Sequence, residues 1–231
     1  MRYLKIFIIG LISILSTLQM FAQREVLHME DHDQKLYYFG LTFGYNQSAY
    51  RMSHSPSFGY TDTFNNLQAK WGSGFHLGLM GSLRLNSFVD LRFIPTILFV
   101  NKPLFATGIN LEETKNIESI YMHLPMQLKL KSDRIGNFRF YGLIGGKFDY
   151  DLSANARSRR TDEFLKVKPF DLGGEIGIGF DFFFPNFIFT PEIKMSQGLM
   201  NSHHKDTDLK MSNAIDQMRT RMFIFSIQLQ G

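Results

Sequence analysis

The residues of this chain best suited to proton transfer are His76, His123, Glu175 and Glu192, because imidazole and carboxylate groups are the usual acids and bases near neutral pH. None stands at a recognisable spacing from a nucleophile. The chain has no Cys, and a Gly-x-Ser-x-Gly elbow is absent. Metal binding has two candidate stretches, Glu30-Asp31-His32-Asp33 and His203-His204 with Asp206 and Asp208. Both fall in polar runs, where hydrated chain is the ordinary explanation. Gly173-Gly174-Glu175-Ile176-Gly177-Ile178-Gly179 is as glycine-rich as a phosphate loop, but it lies within a strand pattern and no helix follows it. No catalytic residue, cofactor or metal site is assigned.

The charged residues follow a different rule. From Ile120 to Leu130 every even position is Ile, Met or Leu, while Tyr121, His123, Pro125, Gln127 and Lys129 hold the odd ones. A strand points successive side chains to opposite faces, so this segment has one apolar and one polar face. The same alternation gathers Arg84, Asp90, Arg92, Tyr121, His123, Lys129, Arg139, Lys147, Glu175, Glu192 and Lys194 on one side of their strands, with Asp171 and Asp181. Enclosed in a small barrel, such mixed charges must pair with one another, since an isolated buried charge costs several kcal/mol. A paired network is the expected role. A proton or ion path is the sharper alternative.

Eight segments carry the pattern: about 36–47, 71–85, 88–100, 118–131, 138–150, 170–183, 187–197 and 221–230. Their connections alternate, long over 48–70, 101–117, 151–169 and 199–220, and short between. Leu, Ile, Val, Met and Phe occupy one face and the charges the other, the inverse of a soluble barrel whose apolar face points inward. Phe88, Phe138 and the run from Phe180 to Phe189 lie where strands meet turns, as in the aromatic girdles of membrane barrels. The sequence therefore predicts an all-β fold: a transmembrane antiparallel up-and-down barrel of about eight strands. Long loops are expected on the extracellular side and short turns on the periplasmic side, with both termini periplasmic. Pro95, Pro125 and Pro191 fall inside strands and each removes a ladder donor, which predicts local bulges or an irregular seam.

Residues 1–22 read as a cleaved signal peptide, with Arg2 and Lys5 before an apolar run and Ala22 at the cleavage point. Residues 23–35 read as a flexible periplasmic segment and 36–231 as the barrel. Without the leader's two cations, 23 basic face 21 acidic residues, so the charge balance does not suggest a nucleic-acid partner. Outer-membrane lipid is the expected surroundings. Arg157-Ser158-Arg159-Arg160 is a basic loop patch that could meet lipopolysaccharide phosphates or simply be solvated.

Tyr121-Met122-His123-Leu124-Pro125-Met126-Gln127-Leu128-Lys129 resembles a recurrent strand of Bacteroidetes outer-membrane barrels, with His123 in place of the usual acidic residue. Gly145 to Ala156, Glu175 to Phe182 and Ser196 to Asn201 are similar to the PorT/SprT proteins of the type IX secretion and gliding-motility system. The resemblance covers nearly all of the chain after the leader. It implies a non-enzymatic accessory component of type IX protein secretion, with protein partners in that machinery. The alternative is a small porin-like or surface-binding barrel unrelated to secretion. The terminal Gln228-Leu229-Gln230-Gly231 departs from the aromatic ending of many such barrels, with Phe225 the nearest aromatic.

Overall fold

The computed structural model describes residues 26–54, 66–108, 111–154, 166–204 and 215–231. The leader, the Arg157–Arg160 tract, Asp206 and Asp208 lie outside them. In chain order the strands are β1 (Tyr37–His54), β2 (Asn66–Ala69), β3 (Gly72–Arg84), β4 (Val89–Phe93), β5 (Thr96–Gly108), β6 (Leu111–Lys131), β7 (Phe138–Asp151), β8 (Lys166–Val167), β9 (Phe170–Phe183), β10 (Ile188–Gly198), β11 (His203–His204) and β12 (Ile215–Gln230). β1 pairs with both β3 and β12, so the antiparallel sheet closes on itself. β4 and β5 form one interrupted stave, which leaves eight staves in the wall. β2 is appended to β5, and β8 pairs with β11 in a separate small sheet.

One circuit along paired residues runs Tyr38, Ser82, Arg92, Gln127, Gly145, Glu175, Ser196, Met222 and back to β1 at Ser48, ten residues further on. A stagger of that size in an eight-stranded barrel tilts the strands by about 40° and leaves an interior that side chains can fill.

The outer face carries an apolar belt. Phe75, Leu77, Leu79 and Leu83 of β3 are exposed, whereas His76, Met80 and Ser82 between them are buried. In β6 the belt runs from Leu130 to Ile120 and ends at the exposed Glu118. Ten residue steps at this tilt give a height of about 25 Å, that of a bilayer's hydrocarbon.

The prolines interrupt the ladder without shifting it. Pairing passes from Phe93–Met126 to Thr96–His123, three steps on both strands, so Ile94 stands opposite Pro125 and two missing donors fall side by side. Beside Pro191 the β9 ladder lapses between Phe189–Phe182 and Glu192–Gly179, again in register. The outcome is an irregular seam and no bulge at any of the three. The one register shift among the described pairs lies between Ser53 and His54.

Several stretches expected as loops are strand. β5 and β6 stay paired out to Gly108–Leu111, and β1 with β12 out to His54–Ile215. Beyond the belt the outer face no longer meets hydrocarbon, so the alternation that marks the membrane span disappears there.

An arginine placed at Ile176, an exposed residue of the belt, should destabilise the protein by about 2–4 kcal/mol in lipid vesicles. The same substitution at Asn116, beyond the belt, should be nearly neutral. Urea titration of refolded protein measures both.

Candidate functional site

All of the sequence-selected residues, Arg84, Asp90, Arg92, Tyr121, His123, Lys129, Arg139, Lys147, Glu175, Glu192 and Lys194, point into the lumen, and all but Arg84, which is partly buried, are buried. At the centre, Arg92 holds the Glu192 carboxylate at 2.6 Å and donates to Gln127 Oε1 at 2.9 Å and Gln228 Oε1 at 3.3 Å. Tyr141 donates its hydroxyl to Glu192 at 2.7 Å, and Lys194 lies 3.3 Å from the other carboxylate oxygen. Gln127 passes the network on by donating to Glu175 at 2.6 Å. His123 then stands between two carboxylates, 2.5 Å from Asp149 and 3.3 Å from Glu175, although the Glu175 approach is not aligned as a hydrogen bond. Lys147 caps Asp149 at 2.5 Å.

Nearer the short turns, Lys129 pairs with Asp181 at 2.8 Å and Lys131 with Asp90 at 2.7 Å, while Tyr38 donates to Asp90 at 2.9 Å. The interior glycines explain how these side chains fit. A Cβ at Gly179 would collide with the Tyr141 ring, and one at Gly173 with Lys147.

Apolar layers lie on both sides of the charges. Tyr38, Met80 and Ile94 form one toward the short turns. Leu98, Val100, Tyr121, Met222 and Ile224 form the next toward the long loops, and Val167 joins Tyr50, Leu104, Ile215 and Met218 at that mouth. Lys102 is fully buried there with no carboxylate in ion-pair range among the described residues. It donates to Tyr121 at 2.7 Å and lies 4.5 Å and 4.3 Å from the Tyr50 and Tyr121 ring centres.

The other mouth is covered by the chain's own N-terminal segment. Where a flexible lead-in is expected, Glu30–Gln34 forms a 3-10 turn with His32 buried. Asp33 is met by Arg139 at 2.7 Å, Arg134 at 3.5 Å and Arg84 at 3.9 Å. Arg134 also donates to His28 O, and Arg84 to His32 O at 2.9 Å and to Asp33 O. The arginines on the turns and strand ends thus supply the partners that order this segment. Burial works to raise the Asp33 pKa, but the Arg139 hydrogen bond and the charges of Arg139, Arg134 and Arg84 outweigh it and hold the carboxyl below its ordinary value. His32, packed 4.6 Å from the Tyr38 ring with neither ring nitrogen hydrogen-bonded, is pushed down to about 4 by burial and then by Arg84.

Lys102 and Asp149 were not singled out by the sequence, and Asp33 only within the candidate metal stretch 30–33. Asp149 shares the inward parity of Lys147, a usable signal. Lys102 lies in a stretch expected as loop, and Asp33 in one expected as tail. Among the described residues no three His, Asp or Glu side chains are placed to hold a metal ion.

A closed wall, an outer apolar belt and a charged, filled interior define a small membrane-spanning β-barrel. The chain belongs to the outer membrane protein beta-barrel domain family, whose model matches residues 21–204. Its place is the outer membrane. Similar solved structures include the outer membrane protein OprG from Pseudomonas aeruginosa, at 15% identity over 85% of this chain and 97% of that one with a TM-score of 0.49. Another is Ail, the attachment invasion locus protein of Yersinia pestis, in complex with the heparin analogue sucrose octasulfate, at 12% identity over 85% and 100% with a TM-score of 0.39. No curated protein matches the chain in sequence.

Glu192 is the only carboxylate paired with Arg92 among the described residues. Glu192→Leu therefore takes the carboxylate from two buried cations, Arg92 and Lys194, and should cost about 3–5 kcal/mol, whereas Arg92→Met with Glu192→Leu should recover part of that loss, Lys194 still lacking that partner. Equilibrium unfolding of the two variants checks it.

Acid should release the N-terminal segment. The depressed His32 pKa opposes docking progressively as pH falls from about 6.5 toward 4. Asp33 contributes stability that is complete above its free pKa and lost as pH falls through its lower docked value. Protease cleavage near residue 30, followed from pH 7 to pH 3, should rise across that range, and in Asp33→Asn it should be higher already at pH 7.

Proposed function

We propose that this protein is a non-enzymatic scaffold of the outer membrane that serves as an accessory component of the type IX protein secretion machinery. The observation that carries this reading is the blocked lumen. Arg92, Gln127 and Glu192 close its centre, apolar layers lie above and below, and the N-terminal segment covers one mouth. A folded cargo cannot pass an interior of this size, so the barrel acts through its loops or its wall on protein partners in that machinery. The likeness of residues 145–156, 175–182 and 196–201 to the PorT/SprT proteins supports the secretion assignment. In this reading the long loops face the cell exterior, both termini lie in the periplasm, the surrounding partners are outer-membrane lipid and lipopolysaccharide, and nucleic acid has no part. His76 and the Ser226 hydroxyl lie 3.1 Å apart in the lumen, but both are buried in the packed interior, which supports a structural and not a catalytic interior.

Deletion of the gene in the parent organism should leave secreted cargo trapped inside the cell, and normal cargo release would contradict the secretion role. Purified protein in planar bilayers should give no steady conductance; a steady open level would favour the porin-like reading. Because the chain has no native Cys, orientation can be read directly. Asn116→Cys should react with a membrane-impermeant maleimide on whole cells, and Asp133→Cys only after permeabilisation.

A further inference from the structure

We infer that Arg51, Arg219 and Arg221 form a binding site for the phosphate groups of a glycolipid in the leaflet at the long-loop end. β1 and β12 place Arg51 directly opposite Arg219, with Arg221 opposite Ala49 one step nearer the belt. Strand parity puts all three on the outer wall, where Arg51 and Arg219 are exposed and Arg221 is half-buried. Like charges directly opposite on one face of an antiparallel pair repel each other. No carboxylate among the described residues pairs with any of the three, and the contacts they do make are neutral. Arg221 donates to Gln197 Oε1 at 3.2 Å and Arg219 to Gln217 Oε1 at 3.4 Å.

Their height on the wall supplies the partner. Phe223 lies two residues below Arg221 on the same face, with the Trp71 ring 5.3 Å from it. Tyr45, opposite Phe225, continues the aromatic rim where the apolar belt ends. Groups just above that rim sit at the level of lipid head groups. A phosphate there meets guanidinium forks that match its geometry, and its charge turns the Arg51–Arg219 repulsion into attraction. The lipid in question is a phosphorylated glycolipid because the proposed orientation turns this rim to the outer leaflet, and the inference rests on that orientation.

Native mass spectrometry of detergent-solubilised protein tests the site, with bisphosphorylated lipid A, dephosphorylated lipid A, phosphatidylglycerol and inorganic phosphate as probes. Wild type should retain bisphosphorylated lipid A about tenfold over the dephosphorylated form. R51Q/R219Q/R221Q should lose that preference, and the matching triple Lys variant should keep part of it. A heat-modifiability gel reports folding, and R219Q alone, at an exposed position, serves if the triple variant fails to fold. Undiminished retention by a folded Gln variant overturns the site. Tighter arginine-dependent binding of phosphatidylglycerol overturns the glycolipid and signals that the orientation is reversed. Equally tight binding of inorganic phosphate alone overturns the lipid as the source.

Discussion

A barrel wall one strand thick has to satisfy hydrocarbon on one side and itself on the other, and the rest of this structure depends on that constraint. Every second residue is committed to lipid, which wants no charge. The remaining residues meet in an interior too narrow for bulk water. Charges placed there persist only if each finds a partner, and the Arg92–Glu192, Lys129–Asp181, Lys131–Asp90 and Lys147–Asp149 pairs do so at 2.5–2.8 Å. Attraction between such pairs roughly offsets the desolvation of both ions, so their net worth to stability is small. Their value lies in register. Sliding β6 by one residue would turn His123, Gln127 and Lys129 toward lipid and the apolar side chains into the lumen, at a cost per cation that rises from about 0–1 kcal/mol near the interface to about 2–4 at the midplane.

Filling the lumen also calls for space in the right places. Gly179 and Gly173 supply it beside Tyr141 and Lys147, so the glycine-rich part of β9 serves the charged layer. Apolar layers separate that layer from both mouths. The N-terminal segment follows the same rule: Asp33 places its carboxylate among three arginines at the rim, of which Arg84 also reaches Asp90 at 3.9 Å.

The parts legible in the sequence are those where lipid and lumen impose opposite demands on neighbouring residues. β3, β7, β9 and β10 follow the alternation closely, and so do their inward charges. Legibility ended where the demand did. Residues 112–116 are polar at every position of the sequence, so no alternation shows there, while the ladder of β6 with β5 continues. Lys102 shares that fate, buried by aromatic neighbours that no local pattern announces. The docking of residues 26–34 depends on Arg84, Arg134 and Arg139, distant in sequence and gathered only by barrel closure. The prolines left bulge and seam as alternatives, and the structure takes the seam: Pro95 divides one stave into β4 and β5 while the register across the gap is kept.

The central claim is that lipid covers the even face of β6 and packed side chains cover the odd face. Single cysteines from Ile120 to Leu130 in this otherwise cysteine-free chain, spin-labelled in vesicles, report it directly. Even positions should be reached by dissolved oxygen and shielded from a water-soluble nickel chelate, and odd positions should be shielded from both. Chelate access at His123, Gln127 and Lys129 would mean a water-filled lumen and would contradict the account.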